Sequence, residues 1–111
     1  RLLDLERRRT MSKSDVITLV SKLSEKNDKG VFETVESNRD IFCSVSSTSS
    51  TEWFSGRRMG LNPQKQFIVF AGDYKGEEIC VYHGQRLTIY RTYERDDDHI
   101  ELYTEKRKGN E

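Results

Sequence analysis

The C-terminal part of the chain, residues 66–106, reads as a run of short strands joined by polar or glycine-containing turns. The strand segments are FIVF, EICVY, QRLTIYRTY and IELYTEK, and the turns between them are AGDYKGE, HG and ERDDDH. Alternation in the third segment puts Leu87, Ile89 and Arg91 on one face of the predicted strand. Alternation with a period of two, carried by β-branched and aromatic residues, is typical of a strand. Strands joined this closely favour an antiparallel meander, in which Gly84 can supply the positive φ of a tight turn.

The N-terminal half predicts further strands. Residues 16–26 and 31–35 alternate on either side of the turn-forming segment NDKG, which indicates a hairpin. Ile17, Leu19 and Leu23 share one face of its first strand. The polar residues 36–40 predict a bend or bulge, and residues 41–45 predict one more strand. The chain is therefore predicted to be mainly β, a small antiparallel β-barrel or rolled sheet with one long loop carrying a short helix.

The composition limits the interior of this barrel. The chain has 111 residues, of which 33% are hydrophobic and 34% are charged, and this suits one domain with a small core. Cys43 and Cys80 lie inside apolar strand segments, without the spacing of metal ligands, and are expected to be buried free thiols. Eight residues that alternate in phase are expected to point inward: Ile17, Leu19, Phe67, Val69, Leu87, Ile89, Ile100 and Leu102.

The domain boundaries follow from the strand pattern and from Met11. The segment MSKSDVITLV resembles a natural protein start, so residues 1–10 are interpreted as an N-terminal tail that need not be native. Residues 11–108 are predicted to form the single barrel domain, and residues 109–111 a C-terminal tail. No signal peptide is visible and no apolar run approaches the length of a membrane span, which predicts a soluble protein made in a reducing cytoplasm.

The connection formed by residues 46–66 is longer than most loops of small domains, and long connections are commonly functional. Ser49 and Glu52 have the spacing of a helix capping box, which predicts a short helix over residues 51–59. Gly60 suits the end of that helix, and Pro63 prevents its continuation.

Aromatic and basic side chains of this helix form the candidate site. At i,i+4 spacing Trp53 is predicted to lie over Arg57, and Phe54 over Arg58. Together with Met59 these are residue types that anchor protein interfaces, so all five are predicted to bind a partner. In the competing interpretation, Trp53 and Phe54 plug the open end of the barrel.

No segment carries a catalytic or metal-binding motif. Asp96, Asp97, Asp98 and His99 form a dense acidic cluster that suits either a cation site or a solvated turn, and we predict the turn because Asp is favoured there. The segment GDYKG lacks the order of a phosphate-binding loop and is predicted to be a hairpin turn. We therefore predict no catalytic residue, metal ligand or cofactor, and an enzyme would require a concave site that the sequence does not reveal.

A nucleic-acid-binding alternative rests on tyrosines interleaved with arginines in the last strands. Such a surface can stack single-stranded bases, as on barrels of the OB or SH3-like kind. The competing interpretation makes the tyrosines cross-strand pairs or core edges. We favour the second, because 19 basic and 19 acidic residues leave no net positive charge to attract phosphates. The residues concerned are Tyr82, Tyr90, Tyr93, Tyr103, Arg86, Arg91 and Arg95.

The chain resembles the head-closure, or head–tail adaptor, proteins of tailed bacteriophages, also called joining or stopper proteins. The resemblance covers residues 11–108 and is most specific in residues 52–63, 67–79 and 82–93. The segments that carry it are EWF near GRRMGLNP, FIVFAGDYKGEEI, YHGQRLTIYRTY and IELYTEK. Residues 1–10 and the serine-rich stretch before the helix depart from the family pattern.

This resemblance implies a structural protein without enzymatic activity. Members form a ring beneath the portal and connector, seal the filled capsid and present a docking surface for the tail. The implied partners are copies of itself, portal or connector proteins, tail proteins and the end of the packaged DNA, with no membrane or small-molecule substrate. The implied location is the virion neck, after synthesis in the cytoplasm of the bacterial host.

Overall fold

Six antiparallel strands close into one barrel in the computed structural model, which describes residues 15–107. The predicted fold class is therefore confirmed, whereas both predicted tails lie outside the described residues. The strands are β1 (Asp15–Lys26), β2 (Phe32–Ser47), β3 (Pro63–Phe70), β4 (Ile79–Tyr82), β5 (Gln85–Glu94) and β6 (His99–Glu105). Helix α1 (Ser50–Arg58) connects β2 to β3, and a 3-10 turn (Ala71–Asp73) follows β3. The order around the barrel is β1-β2-β3-β6-β5-β4, and β4 pairs back with β1.

The core consists of the residues that alternation selected. Seven of the eight predicted inward residues are buried, and Ile100 packs against them from the edge. Ile41, Cys43 and Cys80 complete the cluster, and both cysteines are free as predicted. Burial raises the pKa of each thiol to about 12, so neither forms a reactive thiolate at neutral pH.

The predicted meander is only partly correct. β4, β5 and β6 follow one another in the sheet, but β3 pairs with β2 and β6 and not with β4. The glycine-bearing segment after β3 is therefore a loop between unpaired strands, not a hairpin turn. Barrel closure explains the difference, because β4 must pair with β1 on its free edge.

The predicted bend at residues 36–40 is wrong, because β2 is one continuous strand of 16 residues. Its register with β1 runs without interruption from Asp15↔Cys43 to Lys26↔Phe32. β4 covers β1 only as far as Val20, so residues 21–38 project as a two-stranded ribbon, here called the hairpin arm. Leu23 continues the inward face of β1 but is 51% exposed, because it lies on this arm beyond the core.

A register shift in β5 corrects the predicted position of Arg91. Ile89 pairs with Thr104 of β6, but Arg91 pairs with Tyr103, so one extra residue is accommodated between them. Such a bulge reverses the alternation of the strand. Arg91 therefore lies on the outer face, with its guanidinium 4.0 Å from the centroid of the Tyr103 ring.

Candidate partner-binding site

Helix α1 begins where the capping signal places it. Ser49 has extended backbone angles, and its hydroxyl accepts a hydrogen bond of 3.2 Å from the amide of Glu52. The Ser49 carbonyl accepts the first helical hydrogen bond, 2.8 Å from the amide of Trp53. The observed helix, Ser50–Arg58, differs from the predicted range by one residue at each end.

Glycine ends the helix by a Schellman arrangement. Gly60 has φ +82° and donates its amide to the Arg57 carbonyl at 3.0 Å. Leu61 donates its amide to the Gly56 carbonyl at 2.9 Å. These two bonds satisfy carbonyls that a helix end leaves free, so the last turn is held in place.

Glu52 attaches α1 to the barrel wall. Instead of completing the capping box, its carboxylate accepts a hydrogen bond of 2.5 Å from the Tyr90 hydroxyl and pairs with the Arg91 guanidinium. Burial and the neighbouring Glu52 carboxylate together raise the pKa of Tyr90 above its usual range. The N-terminal turn of α1 is thus fixed over β5.

The aromatic side chains of α1 point away from the core. Trp53 is 42% exposed, Phe54 58% and Met59 72%, while the barrel interior is filled by residues of the strands. The interpretation of Trp53 and Phe54 as a barrel plug is therefore wrong. Arg57 lies over the Trp53 ring at 5.8 Å, as predicted. Phe54 packs edge-on against Trp53 at 5.1 Å rather than over Arg58.

The arginines of α1 differ from the others in their surroundings. Arg57 and Arg58 are exposed and form no ion pair with any carboxylate among residues 15–107. Arg57 donates only a long hydrogen bond, 3.4 Å, to the Leu61 carbonyl. The remaining arginines of that range are all paired: Arg39 with Glu77, Arg86 with Glu36, Arg91 with Glu52, Arg95 with Glu101, and Arg107 with Glu105. Arg57 and Arg58 thus lie beside two exposed aromatic rings of α1 and the exposed side chain of its C-cap residue, Met59.

The tyrosines of the last strands have structural partners. Tyr82 packs edge-on against Phe67 at 5.1 Å, and the Tyr103 hydroxyl donates a 2.5 Å hydrogen bond to Glu101. Tyr90 and Tyr103 lie 6.5 Å apart across neighbouring strands. These contacts match the cross-strand interpretation, whereas Tyr93 is 56% exposed.

The acidic cluster is a side-chain-capped turn. One carboxylate oxygen of Asp96 accepts hydrogen bonds of 2.9 Å from the amides of Asp98 and His99. These bonds lower the pKa of Asp96, together with its contact to the His99 ring at 3.0 Å. Within residues 15–107 no three His, Cys, Asp or Glu side chains converge in a way that could hold a metal ion.

Sequence reasoning missed two buried glutamates. Glu77 receives hydrogen bonds from the Lys75 amide at 2.8 Å and from Arg39 at 2.6 Å, and it lies in the wall of a cavity of about 270 Å³. Glu105 accepts from the Asn62 amide at 3.3 Å, beside the start of β3. Both side chains fasten loops to the barrel. Sequence reasoning could not have placed them, because Arg39 is 38 residues from Glu77 and Asn62 is 43 residues from Glu105.

The fold and the site together define a small antiparallel β-barrel that presents a capped, partly apolar and basic helix on its wall. No protein-family model matches the chain, and no curated protein matches it either. Among residues 15–107 no helix has the length and apolar character needed to cross a bilayer.

Proposed function

We propose that this protein is a structural component of the head–tail connector of a tailed bacteriophage. In this role it closes the DNA-filled capsid and provides the surface on which the tail docks. The resemblance of residues 11–108 to head-closure proteins supports the specific assignment. One structural observation supports a binding role: α1 and its C-cap residue present exposed Trp53, Phe54 and Met59 beside Arg57 and Arg58, which pair with no carboxylate of residues 15–107.

The side chains of α1 are held in an ordered conformation before any partner binds. Aromatic, methionine and arginine side chains supply much of the binding free energy at protein interfaces. Both ends of α1 are capped and Glu52 holds it to β5, so little conformational entropy is lost when a partner binds. An exposed surface that is already ordered suits the joint between two large assemblies.

The proposed partners are those of a ring at the virion neck. They are further copies of this protein, the portal or connector, the tail proteins and the end of the packaged DNA. The protein acts after synthesis in the bacterial cytoplasm and needs no cofactor, substrate or membrane for this role. Genes for a portal, a capsid protein and tail proteins beside its own would support the proposal.

The proposal is tested by changing Trp53→Ala and Arg57→Ala together in the phage that encodes the protein. We expect capsids that fill with DNA and then leak it or lack tails, as seen by electron microscopy and nuclease protection. Because both side chains are exposed, the purified variant should lose no more than about 1 kcal/mol of unfolding free energy.

A matched control changes Tyr93→Ala in β5 and Arg95→Ala just after it, which removes an exposed aromatic ring and a guanidinium away from α1. This control should give filled, tailed particles. Normal particles from the α1 variant would refute the proposed role of α1. A loss of 3–5 kcal/mol for Trp53→Ala alone would indicate a core contribution instead of an interface.

The nucleic-acid alternative has weaker support. Its arginines next to the tyrosines, Arg86, Arg91 and Arg95, are each paired with a glutamate and offer little free charge to phosphates. A salt-dependent shift of single-stranded DNA in a gel would favour that alternative over the connector role.

A further inference from the structure

The hairpin arm has two faces of different character. Because the β1–β2 register is uninterrupted, residues two apart on a strand and residues directly opposite share a face. The face that continues Ile17 and Leu19 is here called the inner arm face. It carries Ser21, Leu23 and Glu25 of β1 and Glu33, Val35 and Ser37 of β2.

This face combines exposed apolar groups with unpaired carboxylates. Leu23 lies directly opposite Val35, and they are 51% and 38% exposed. Glu25 lies directly opposite Glu33, an arrangement of like charges that destabilises a strand pair. Glu33 accepts a hydrogen bond of 2.8 Å from the Asn27 side chain, but neither carboxylate pairs with a cation among residues 15–107.

Helix α1 presents charges opposite to those of the inner arm face, together with exposed apolar side chains. Its two unpaired guanidiniums match the two unpaired carboxylates of the arm, and each pair is flanked by exposed apolar side chains. Arg57 and Arg58 form no ion pair with Glu25 or Glu33 within one chain. We infer that α1 of one copy docks on the inner arm face of a neighbouring copy. The guanidiniums then neutralise Glu25 and Glu33, and the aromatic rings cover Leu23 and Val35.

The contact joins two unlike surfaces, so it is heterologous. Every copy offers one α1 and one arm, and head-to-tail repetition of such a contact generates a ring when the rotation closes. This inference rests on the proposed function and names the partner of α1: a second copy of the chain. Both surfaces are small and carry exposed charges, which predicts a weak contact that a template can organise.

Photo-cross-linking tests where α1 docks. A benzophenone amino acid replaces Phe54, and isotopically labelled and unlabelled copies are mixed so that links between copies are distinguished by mass spectrometry. We expect links between copies from position 54 to residues 21–26 or 32–38. Links confined to one copy, or to other parts of the second copy, would overturn the inference.

Charge exchange tests the chemistry of the contact. One variant carries both Arg57→Glu and Arg58→Glu, and the other carries both Glu25→Arg and Glu33→Arg. We compare each variant alone with an equal mixture of the two. Sedimentation velocity should show self-association of each variant weakened about tenfold or more, and association restored in the mixture, where opposite charges meet again. If the mixture associates no better than its components, the inference is wrong.

Control variants carry the same charge changes outside the two surfaces. A double variant with Asp28→Arg and Glu78→Arg has the same change in net charge as the arm variant. A double variant with Lys29→Glu and Lys65→Glu has the same change in net charge as the α1 variant. These controls should associate like the unchanged protein, and thermal melts should show all variants folded. Equal weakening by the controls would indicate an effect of net charge and refute a specific contact.

The outcomes separate this inference from the proposed function. Capsid leakage caused by Trp53→Ala and Arg57→Ala, without links to the arm, would leave the connector role intact and refute docking on a second copy. Links and charge rescue together with normal particles from the Trp53→Ala and Arg57→Ala variant would support the self-contact and refute the proposed role of α1 in the connector.

Discussion

At the scale of single residues, position in the barrel decides what a side chain contributes. Phe67 and Phe42 are chemically identical and lie on neighbouring strands. Phe67 is 0% exposed in the centre of the core, whereas Phe42 is 63% exposed on the outer wall. Their removal should therefore have different consequences.

Phe67→Ala should lower the free energy of unfolding by about 3–5 kcal/mol, because it removes a buried ring and leaves a cavity. Phe42→Ala, the same substitution on the exposed face, should cost less than about 1 kcal/mol. Denaturant unfolding of both variants measures the difference. Equal losses would contradict the observed placement of the core.

Glu77 is the residue for which pH should matter most clearly. Burial alone would raise its pKa, but the Lys75 amide and the Arg39 guanidinium more than offset this and hold the pKa below the usual carboxyl range. A carboxyl whose folded pKa is depressed stabilises the fold above its unfolded pKa, and this contribution disappears as pH falls through the folded value.

Glu77→Gln should therefore cost about 1–3 kcal/mol at pH 7, because Arg39 and the Lys75 amide lose a charged acceptor. The deficit should be smaller at about pH 3, below the ordinary Glu pKa of about 4.3, because the stabilisation from the Glu77 charge declines as the pH falls below that value. Urea unfolding at both values measures this, and Glu78→Gln at the exposed neighbour is the control. A deficit that does not change with pH would show that the charge of Glu77 is irrelevant.

At the scale of elements, α1 depends on a close approach to β3. Gly56 is the buried residue of the helix, and a β-carbon placed on it would lie 2.5 Å from Cγ of Pro63. A proline ring cannot move aside as a flexible side chain can. The absence of a side chain at Gly56 thus lets α1 lie against the first residue of β3.

Gly56→Ala should lower the unfolding free energy by about 1–3 kcal/mol, although alanine is the better helix former, because the methyl group overpacks the contact. Gly72→Ala is a matched control, since nothing lies within 4 Å of its added carbon and its φ is not positive. That control should stay within about 0.5 kcal/mol of the unchanged protein. Thermal unfolding measures both variants. A Gly56→Ala variant as stable as the unchanged protein would refute the close packing of α1 on β3.

At the scale of the whole molecule, a packed barrel carries a projecting arm. The arm lies beyond the last β1–β4 pair, Val20↔Ile79, and β3 pairs with β2 only from Ser44 onward. All residues of the core cluster belong to the barrel and none to residues 21–38. Barrel stability should therefore be largely independent of the arm.

Removing residues 22–25 together with residues 33–36 shortens the arm. The turn is kept, and the remaining residues stay on the same faces of the ribbon because four residues are removed from each strand. The melting temperature, followed by circular dichroism, should change by less than about 5 °C, because no core contact is lost. The shortened protein should also fail to form the cross-links between α1 and the arm. A large fall in melting temperature would show that the arm contributes to the barrel fold.

The sequence by itself determined the features that depend on local chemistry. Alternation identified the strands and most of the side chains that fill the core, such as Ile17, Phe67 and Leu102. The reason is that a strand buried on one face must place apolar side chains at every second position. The caps of α1 were visible at Ser49 and Gly60, because the free backbone groups at helix ends favour a hydroxyl acceptor at the start and a residue with positive φ after the last turn. The composition of α1 also indicated the candidate site.

The tertiary structure alone decided the features that depend on which segments meet. Alternation shows that one face of a strand is buried, but it carries no information on the neighbouring strand, so the pairing of β3 with β6 and the length of the arm were not predictable. The bulge before Arg91 and the attachment of Glu52 to β5 likewise arise from registers between distant segments. Whether an arginine is paired also depends on carboxylates far away in the chain. Within residues 15–107, only the tertiary structure therefore distinguishes Arg57 and Arg58, which have no carboxylate partner there, from the other arginines, which are each paired with a glutamate.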